Sequence, residues 1–281
     1  MKPPLRLFAY PGLGDSLHAR AILPALMADR EVWFDSRWPQ VFHDMPQLHL
    51  GHADAPADAL PMTCGYHPNH VPRAGSVLGA MAQACGVPVG DFRLPIPADW
   101  ERAAGRFMSR ADWDGRPLLV YRPLVEVADV PENNAHCKRA RNPDADAYTA
   151  LLTAIRERYF VVAVANCQHD REWLVGPQIA PDADCTHGEL DFETMAALFS
   201  LAEVVFCPPG FATILAQATG TRCITVFGGY EDARSFAGGA KHAPWLPIEP
   251  LVPCPCWSAD CPGDKTIDLF AAMTRIEEFL Q

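Results

Sequence analysis

The chain has 281 residues, 49% of them apolar and 20% charged. That composition excludes wholesale disorder and suits one large α/β domain or two of about 120–150 residues. Its 23 lysines and arginines face 34 acids, a net charge of −11, so long-range repulsion disfavours a nucleic acid held on a broad basic face.

Leu5–Tyr10 is a short apolar run that Pro11, Gly12 and Asp15 break before it reaches signal-peptide length, so no leader is expected. No apolar run approaches the about 20 residues needed to span a bilayer, and no transmembrane segment is expected. Leu5–Tyr10 reads instead as a strand leading through Pro-Gly-Leu-Gly-Asp into a helix with apolar residues at Leu17, Ile22, Leu23, Leu26 and Met27. Glu31–Asp35 follows as a second strand and completes a βαβ opening. Ser76–Cys85 predicts a helix, and Gly86–Pro97 is rich in turn residues. The pattern restarts at Trp113–Pro117. Leu118–Tyr121 is a buried-strand candidate, Ala145–Arg158 a helix and Tyr159–Ala165 the clearest strand of the chain. Phe192–Leu201 predicts a helix, Glu203–Cys207 a strand, Phe211–Thr219 a helix, and Cys223–Phe227 a strand closed by Gly228-Gly229. The last helix, Ile267–Leu280, follows a loop of prolines and cysteines. Continuous apolar strands alternating with helices argue for an α/β fold with parallel sheets covered on both faces. The economical layout is two such units joined near residue 115.

Ten cysteines in a chain this long do not make a small disulfide scaffold, and Cys207 and Cys223 sit in strand-like runs as small hydrophobes. A reducing cytosol is expected. Cys254, Cys256 and Cys261 raise the question of zinc. Their C-x-C-x4-C spacing lacks the C-x2-C knuckle, and only the distant His242 or Cys64 offers a fourth ligand, so no metal and no cofactor is expected.

Charge is uneven: residues 1–115 hold 10 basic and 12 acidic side chains, residues 116–281 hold 13 and 22. Inside the acidic half lies one basic island, His136–Arg141, with Lys138, Arg139 and Arg141. It points to a local anion site; the plain alternative is a solvated loop. Gly12, Gly14 and Asp15 lie where a strand opens into a helix, a place suited to close ligand approach. The dinucleotide fingerprint G-x-G-x-x-G fails, since its third glycine is Leu17. Asp15 is then either a helix cap or a functional carboxylate at a strand's C-terminal edge.

Gly14-Asp15-Ser16-Leu17-His18 with Pro24-Ala25-Leu26 resembles the G-D-x-L…P-A-L opening of the ADP-heptose:lipopolysaccharide heptosyltransferases, glycosyltransferase family nine. Leu190–Gly229 resembles that family's helix, A-D-x-V-V strand, helix and V-x-L-F-G strand, and Cys254-Pro255-Cys256 with Cys261-Pro262 resembles its cysteine-containing tail. The resemblance implies the GT-B architecture, two Rossmann-like domains with parallel sheets facing a cleft: 1–115 for the acceptor and 116–264 for the nucleotide sugar. Residues 265–281 would form a helix that packs back on the first domain. It implies an inverting, metal-independent transfer from a nucleotide-sugar donor to a glycan or other hydroxyl acceptor. Asp15 would be the general base and His18, one turn on, would orient Asp15 or the acceptor; its plain alternative is a helix-surface histidine. Lys138, Arg139 and Arg141 would neutralise the donor diphosphate. Gly210, Phe211, Ala212 and Thr213 at a helix N-terminus, with Gly228 and Gly229, would line the same crevice, and Asn166 and Gln168 would meet the base or ribose. The sequence departs from the family at Pro208-Pro209-Gly210-Phe211, where an acid and a histidine are usual. An epimerase or hydrolase on the same scaffold and a catalytically silent nucleotide- or glycan-binding module are the alternatives.

Overall fold

A computed structural model describes residues 2–128, 139–169, 171–258 and 261–281. The chain divides into two compact units, Met1–Pro95 with Arg234–His242, and Ile96–Ala233 with Ala243–Gln281.

The first unit is built on a four-stranded parallel sheet of order β3-β2-β1-β4. Its strands are β1 (Leu5–Ala9), β2 (Val32–Phe34), β3 (His49–Leu50) and β4 (Leu60–Cys64). Four helices accompany it: α1 (Leu13–Arg20), α2 (Leu23–Met27), α3 (Val71–Ala74) and α4 (Val77–Cys85). The predicted first helix is two helices, because the chain bends at Ala21-Ile22 before Pro24 enters the first turn of α2. Leu5, Leu7, Leu17, Ile22 and Phe34 are fully buried and form the base of the core. Arg20 is also buried. It donates two hydrogen bonds to Asp44, at 2.7 and 2.8 Å, two to the Arg93 carbonyl and one to the Val41 carbonyl, so one guanidinium ties α1 to two loops.

The second unit begins with α5 (Ala98–Arg110) and carries a six-stranded parallel sheet of order β12-β11-β10-β5-β7-β9. Its strands are β5 (Leu118–Tyr121), β7 (Phe160–Val164), β9 (Ala183–Cys185), β10 (Val204–Cys207), β11 (Cys223–Val226) and β12 (Trp245–Ile248). β6 (Val125–Val127) and β8 (Glu172–Leu174) form a separate antiparallel ribbon. The helices are α6 (Ala145–Arg156), α7 (Phe192–Leu201), α8 (Phe211–Thr219) and α9 (Leu269–Leu280). Every residue of β5, β7, β10 and β11 is buried, as parallel strands covered on both faces require.

Two boundaries differ from expectation. The division falls at residue 95 rather than near 115, because α5 packs on α7, with Trp100 edge-on to Phe192 at 5.7 Å. The final helix, expected to pack on the first unit, groups with the second. It lies on α6 and β12, where Ile267, Ala272 and Ile276 join the core around Leu151, Ile155 and Ile248. Arg158 pairs with Glu277 at 2.5 Å and Arg275 donates to the Pro247 carbonyl, which fixes it there. Phe270 on this helix is 85% exposed.

Candidate functional site

In open parallel sheets ligands bind beyond the strands' carboxyl ends, at the point where the strand order reverses. In the first unit the chain runs from β1 to β2 on one side and reaches β4 on the other, so that point lies between β1 and β4. Asp15 is there. Gly12 caps α1 with extended backbone and no capping side chain, which places Asp15 in the helix's first turn, half-buried. A Cβ on Gly12 would fall 2.6 Å from Asp15 Oδ2, so the carboxylate leans over the glycine, toward the helix N-terminus. It also lies close enough to the end of β4 to act on Cys64. That buried thiol is held protonated, first by its hydrogen bond with Cys85, then by burial and by the Asp15 charge. Around the same edge Tyr10 donates to the Tyr66 carbonyl at 3.1 Å, Trp38 donates to the Pro11 carbonyl at 3.3 Å, and Ser16 meets Ser36. Gly14 is half-buried in the first turn of α1.

His18 is neither at the surface nor open to a substrate: it is 2% exposed and lies beside Phe92. Burial holds its pKa down to about 4, so the ring is neutral. The reason is helical geometry, since Leu17, His18, Ala19 and Arg20 all turn inward on a short helix with little exposed face.

In the second unit the strand order reverses between β5 and β10. Beyond their ends stand Arg122, Pro208–Phe211 and, from the neighbouring strands, Asn166 and Gln168 after β7 and Gly228–Glu231 after β11. Gly210 takes φ +152° and leaves the N-terminus of α8 without a side-chain cap. Phe211 is half-buried under the Arg122 guanidinium, 4.8 Å from the ring centre. Ala212 and Thr213 are not exposed to a ligand. Thr213 is 0% exposed and turns into the sheet, its hydroxyl meeting Thr225 at 3.0 Å and Cys207 at 3.4 Å. Asn166 and Gln168 are exposed, and Gly188 leaves room for the Asn166 amide.

Lys138 lies outside the described residues. Arg139 and Arg141 form a helical turn that the Lys265 ammonium caps, donating to the carbonyls of Arg139 at 2.8 Å and Asn142 at 2.6 Å. Gly228 packs against the Asn142 carbonyl so closely that any side chain would collide, and the Gly229 amide donates to the Ala140 carbonyl. The two segments therefore form one unit of backbone. Arg141 lies over the Tyr230 ring at 5.0 Å, donates from Nη2 to Glu231 Oε1 at 2.8 Å and forms an ion pair with Glu231 through Nε and Oε2 at 2.7 Å. Glu231 is 3% exposed; burial pushes its carboxyl above the usual range and Arg141 offsets only part of that.

Three functional candidates lie outside the sequence-level set. Arg122 is largely covered, donates to the Val164 carbonyl and pairs with Glu172, and desolvation lowers its pKa. Glu231 and Lys265 fix the basic turn. Arg122 alone had a local signal, a cation placed directly after the buried run Leu118–Tyr121.

No protein-family model matches the sequence, and no curated protein matches it. Solved structures do. A glycosyl transferase family 9 protein from Veillonella parvula superposes with TM-score 0.64 at 10% identity, over 99% of this chain and 97% of that one. The chain has the glycosyltransferase family nine fold. E. coli ADP-heptose lipopolysaccharide heptosyltransferase II matches with TM-score 0.60 at 10% identity, over 99% and 98%. The iron-containing dodecameric glycosyltransferase TibC from enterotoxigenic E. coli matches with TM-score 0.63 at 16% identity, over 99% of this chain and 76% of that one. TibC has also been solved in complex with ADP-D-β-D-heptose. Among the described residues no helix is long and apolar enough to cross a membrane.

Proposed function

We propose that the chain is an inverting glycosyltransferase that takes a sugar from a nucleotide-sugar donor to a hydroxyl acceptor, with no metal ion at the reacting centre. The observation that carries this reading is Asp15, a carboxylate held by Gly12 and α1 at the reversal point of the first sheet. The acceptor oxygen attacks the anomeric carbon as the bond from that carbon to the diphosphate breaks. The nucleoside diphosphate leaves with the electron pair, and the acceptor proton passes to Asp15. Arg139, Arg141 and the uncapped amides of α8 receive the charge that develops on the diphosphate, which is the work a metal would otherwise do. Asn166 and Gln168 lie on the side of the crevice suited to the nucleoside. His18 positions α1 from beneath rather than touching substrate.

TibC's complex makes an ADP-sugar the first donor to test. Pro208 and Pro209, buried after β10 where the resemblance calls for an acid, favour one second reading, a silent nucleotide-binding module. The compartment proposed is the cytoplasm, in keeping with the six buried free thiols. Asp15→Asn keeps size and capping ability while removing basicity. We expect normal folding, donor affinity within a few-fold, and turnover reduced by about 10²–10⁴. Added Mg²⁺ or Mn²⁺ should leave turnover within about twofold, because charge-assisted hydrogen bonds already serve the diphosphate. Full turnover in Asp15→Asn refutes the base; donor binding without any turnover in the parent chain favours the silent module.

A further inference from the structure

Nine of the described cysteines are free, and six of them are buried as small apolar side chains. The three that are not, Cys254, Cys256 and Cys261, gather as a group of three. Their Sγ atoms all lie within 4.8 Å of one another. Apolar packing does not explain that gathering, because Cys256 is exposed and the other two are only half-covered. We propose that these three thiolates form a binding site for a single thiophilic transition-metal ion, which braces the loop before α9 against the turn after β11.

Metal–sulfur bonds of about 2.3 Å set sulfur–sulfur edges of roughly 3.8 Å in a tetrahedral site, so closing the cluster on an ion needs shifts of an ångström or less. Three sulfur donors select zinc or another soft ion over magnesium or calcium. They leave one tetrahedral position for water or a further ligand. Backbone amides already point at two of the three sulfurs. Tyr230 N–H donates to Cys261 Sγ at 3.3 Å, Ser258 N–H to Cys256 Sγ at 3.4 Å, and Gly263 N–H also donates to Cys261. Such donors favour the charged thiolate that a metal requires. Two glycines make the approach possible. A Cβ on Gly263 would fall 2.8 Å from Cys254 Cβ and 3.3 Å from Cys261 Sγ, and one on Gly229 would fall 2.5 Å from Cys261 Sγ. The spacing C-x-C-x4-C argued against a zinc knuckle. The fold supplies the closure instead, through a loop that returns over Gly229.

The consequence is mechanical. Trp257 N–H donates to the Tyr230 carbonyl at 2.8 Å and the two rings meet at 5.4 Å, while Tyr230 backs Arg141. An ion on the three thiols would hold this stack in place. Its effect on the donor turn rests on the proposed transfer reaction; its binding does not.

The test uses the full chain, purified under reducing, oxygen-free conditions, without any activity measurement. Elemental analysis should find about one zinc or iron per chain, released when an organomercurial blocks the thiols. The stripped protein titrated with Co²⁺ should show thiolate-to-cobalt charge-transfer bands and intense tetrahedral ligand-field bands. Cys254→Ser, Cys256→Ser and Cys261→Ser should each weaken Co²⁺ by at least tenfold, and Cys167→Ser should leave it unchanged. Cys256 is exposed, so its variant should fold whatever the others do. Absence of the cobalt bands, or their persistence in Cys256→Ser, overturns the proposal. A Cys254–Cys256 or Cys256–Cys261 disulfide that, once reduced, binds no Co²⁺ overturns it too.

Discussion

Arg141 and Glu231 make opposite demands on their surroundings, and that asymmetry can be measured. Glu231 is 3% exposed, whereas the Arg141 side chain is 30% exposed. Arg141→Ala leaves a buried carboxylate facing Asp232 with no guanidinium, a loss of about 3 kcal/mol at pH 7, the lower end for a broken buried pair because water can enter the vacated space. Glu231→Gln leaves a guanidinium that water reaches, and costs about 1 kcal/mol or less. The pH dependence follows from the sign of the shift. Glu231 is held above its usual value of 4.5 by burial, so it binds its proton more tightly folded than unfolded. Stability from that group is present below 4.5 and lost as pH rises through the folded value. Without Arg141 the folded value rises further, so the penalty of Arg141→Ala is full at neutral pH and shrinks on acidification as Glu231 takes up its proton. Urea unfolding at pH 7 and pH 5 measures both variants. Equal costs for the two, or a pH-independent cost for Arg141→Ala, would refute the argument. The double variant Arg141→Ala with Glu231→Gln removes the stranded charge. It should recover most of the stability yet bind nucleoside diphosphate one to two decades more weakly, with nucleoside affinity unchanged, since a charge-assisted contact contributes about 1.5–3 kcal/mol.

The remaining predictions address the other groups. Gly12→Ala adds a methyl against Asp15 Oδ2 and should lower turnover about tenfold or more while the fold persists, read by kcat beside circular dichroism. His18, neutral with a pKa of about 4 against 6.5 unfolded, should make stability fall by on the order of 3 kcal/mol between pH 6.5 and 4, because only the unfolded chain takes up that proton. His18→Gln should flatten that slope in denaturant titrations. Thr213→Val should cost about 1 kcal/mol through the lost bond to Thr225, with nucleotide affinity unchanged by calorimetry. A large affinity loss would return Thr213 to the donor site.

The strands legible in the sequence were those buried on both faces: β5, β7, β10 and β11 each read as unbroken apolar runs, and their helices carried clear periodicity. The missed elements lack that signature for identifiable reasons. β4 is an edge strand, Leu60-Pro61-Met62-Thr63-Cys64, mostly exposed and interrupted by proline. β12 is the opposite edge of the other sheet and also contains proline. α5 buries only Trp100, Ala104 and Met108, a stripe too narrow to stand out among its charges. Because α5 precedes the glycine at 115, the division between units looked later than it is. Among the candidate site residues, Gly12 and Asp15 drew notice because they follow the end of β1, and Arg141 because it belongs to a basic island in the acidic half. Thr213 was misplaced because helix-terminal position alone does not say which way a side chain turns. Glu231 and Lys265 act through partners 90 and more than 120 residues away in sequence, a relation that no local pattern carries.

In both units the candidate site lies at the reversal point of a parallel sheet, yet the two edges carry opposite charge. The β1–β4 edge holds a carboxylate, Asp15. The β5–β10 edge holds Arg122, Arg139 and Arg141. Placing both sets on one sheet would work against transfer, since a guanidinium beside Asp15 would lower its pKa and weaken it as a base. It would also place a negative charge where the proposed diphosphate would dock. The half-buried Glu172 and the buried Glu231 belong to the cationic edge for a different purpose. Each fixes an arginine in one orientation from beneath while its own charge is spent on that arginine. Under the proposed function, arginines held in this way are preorganised for an anion, which a mobile surface lysine in a chain of net charge −11 would not be.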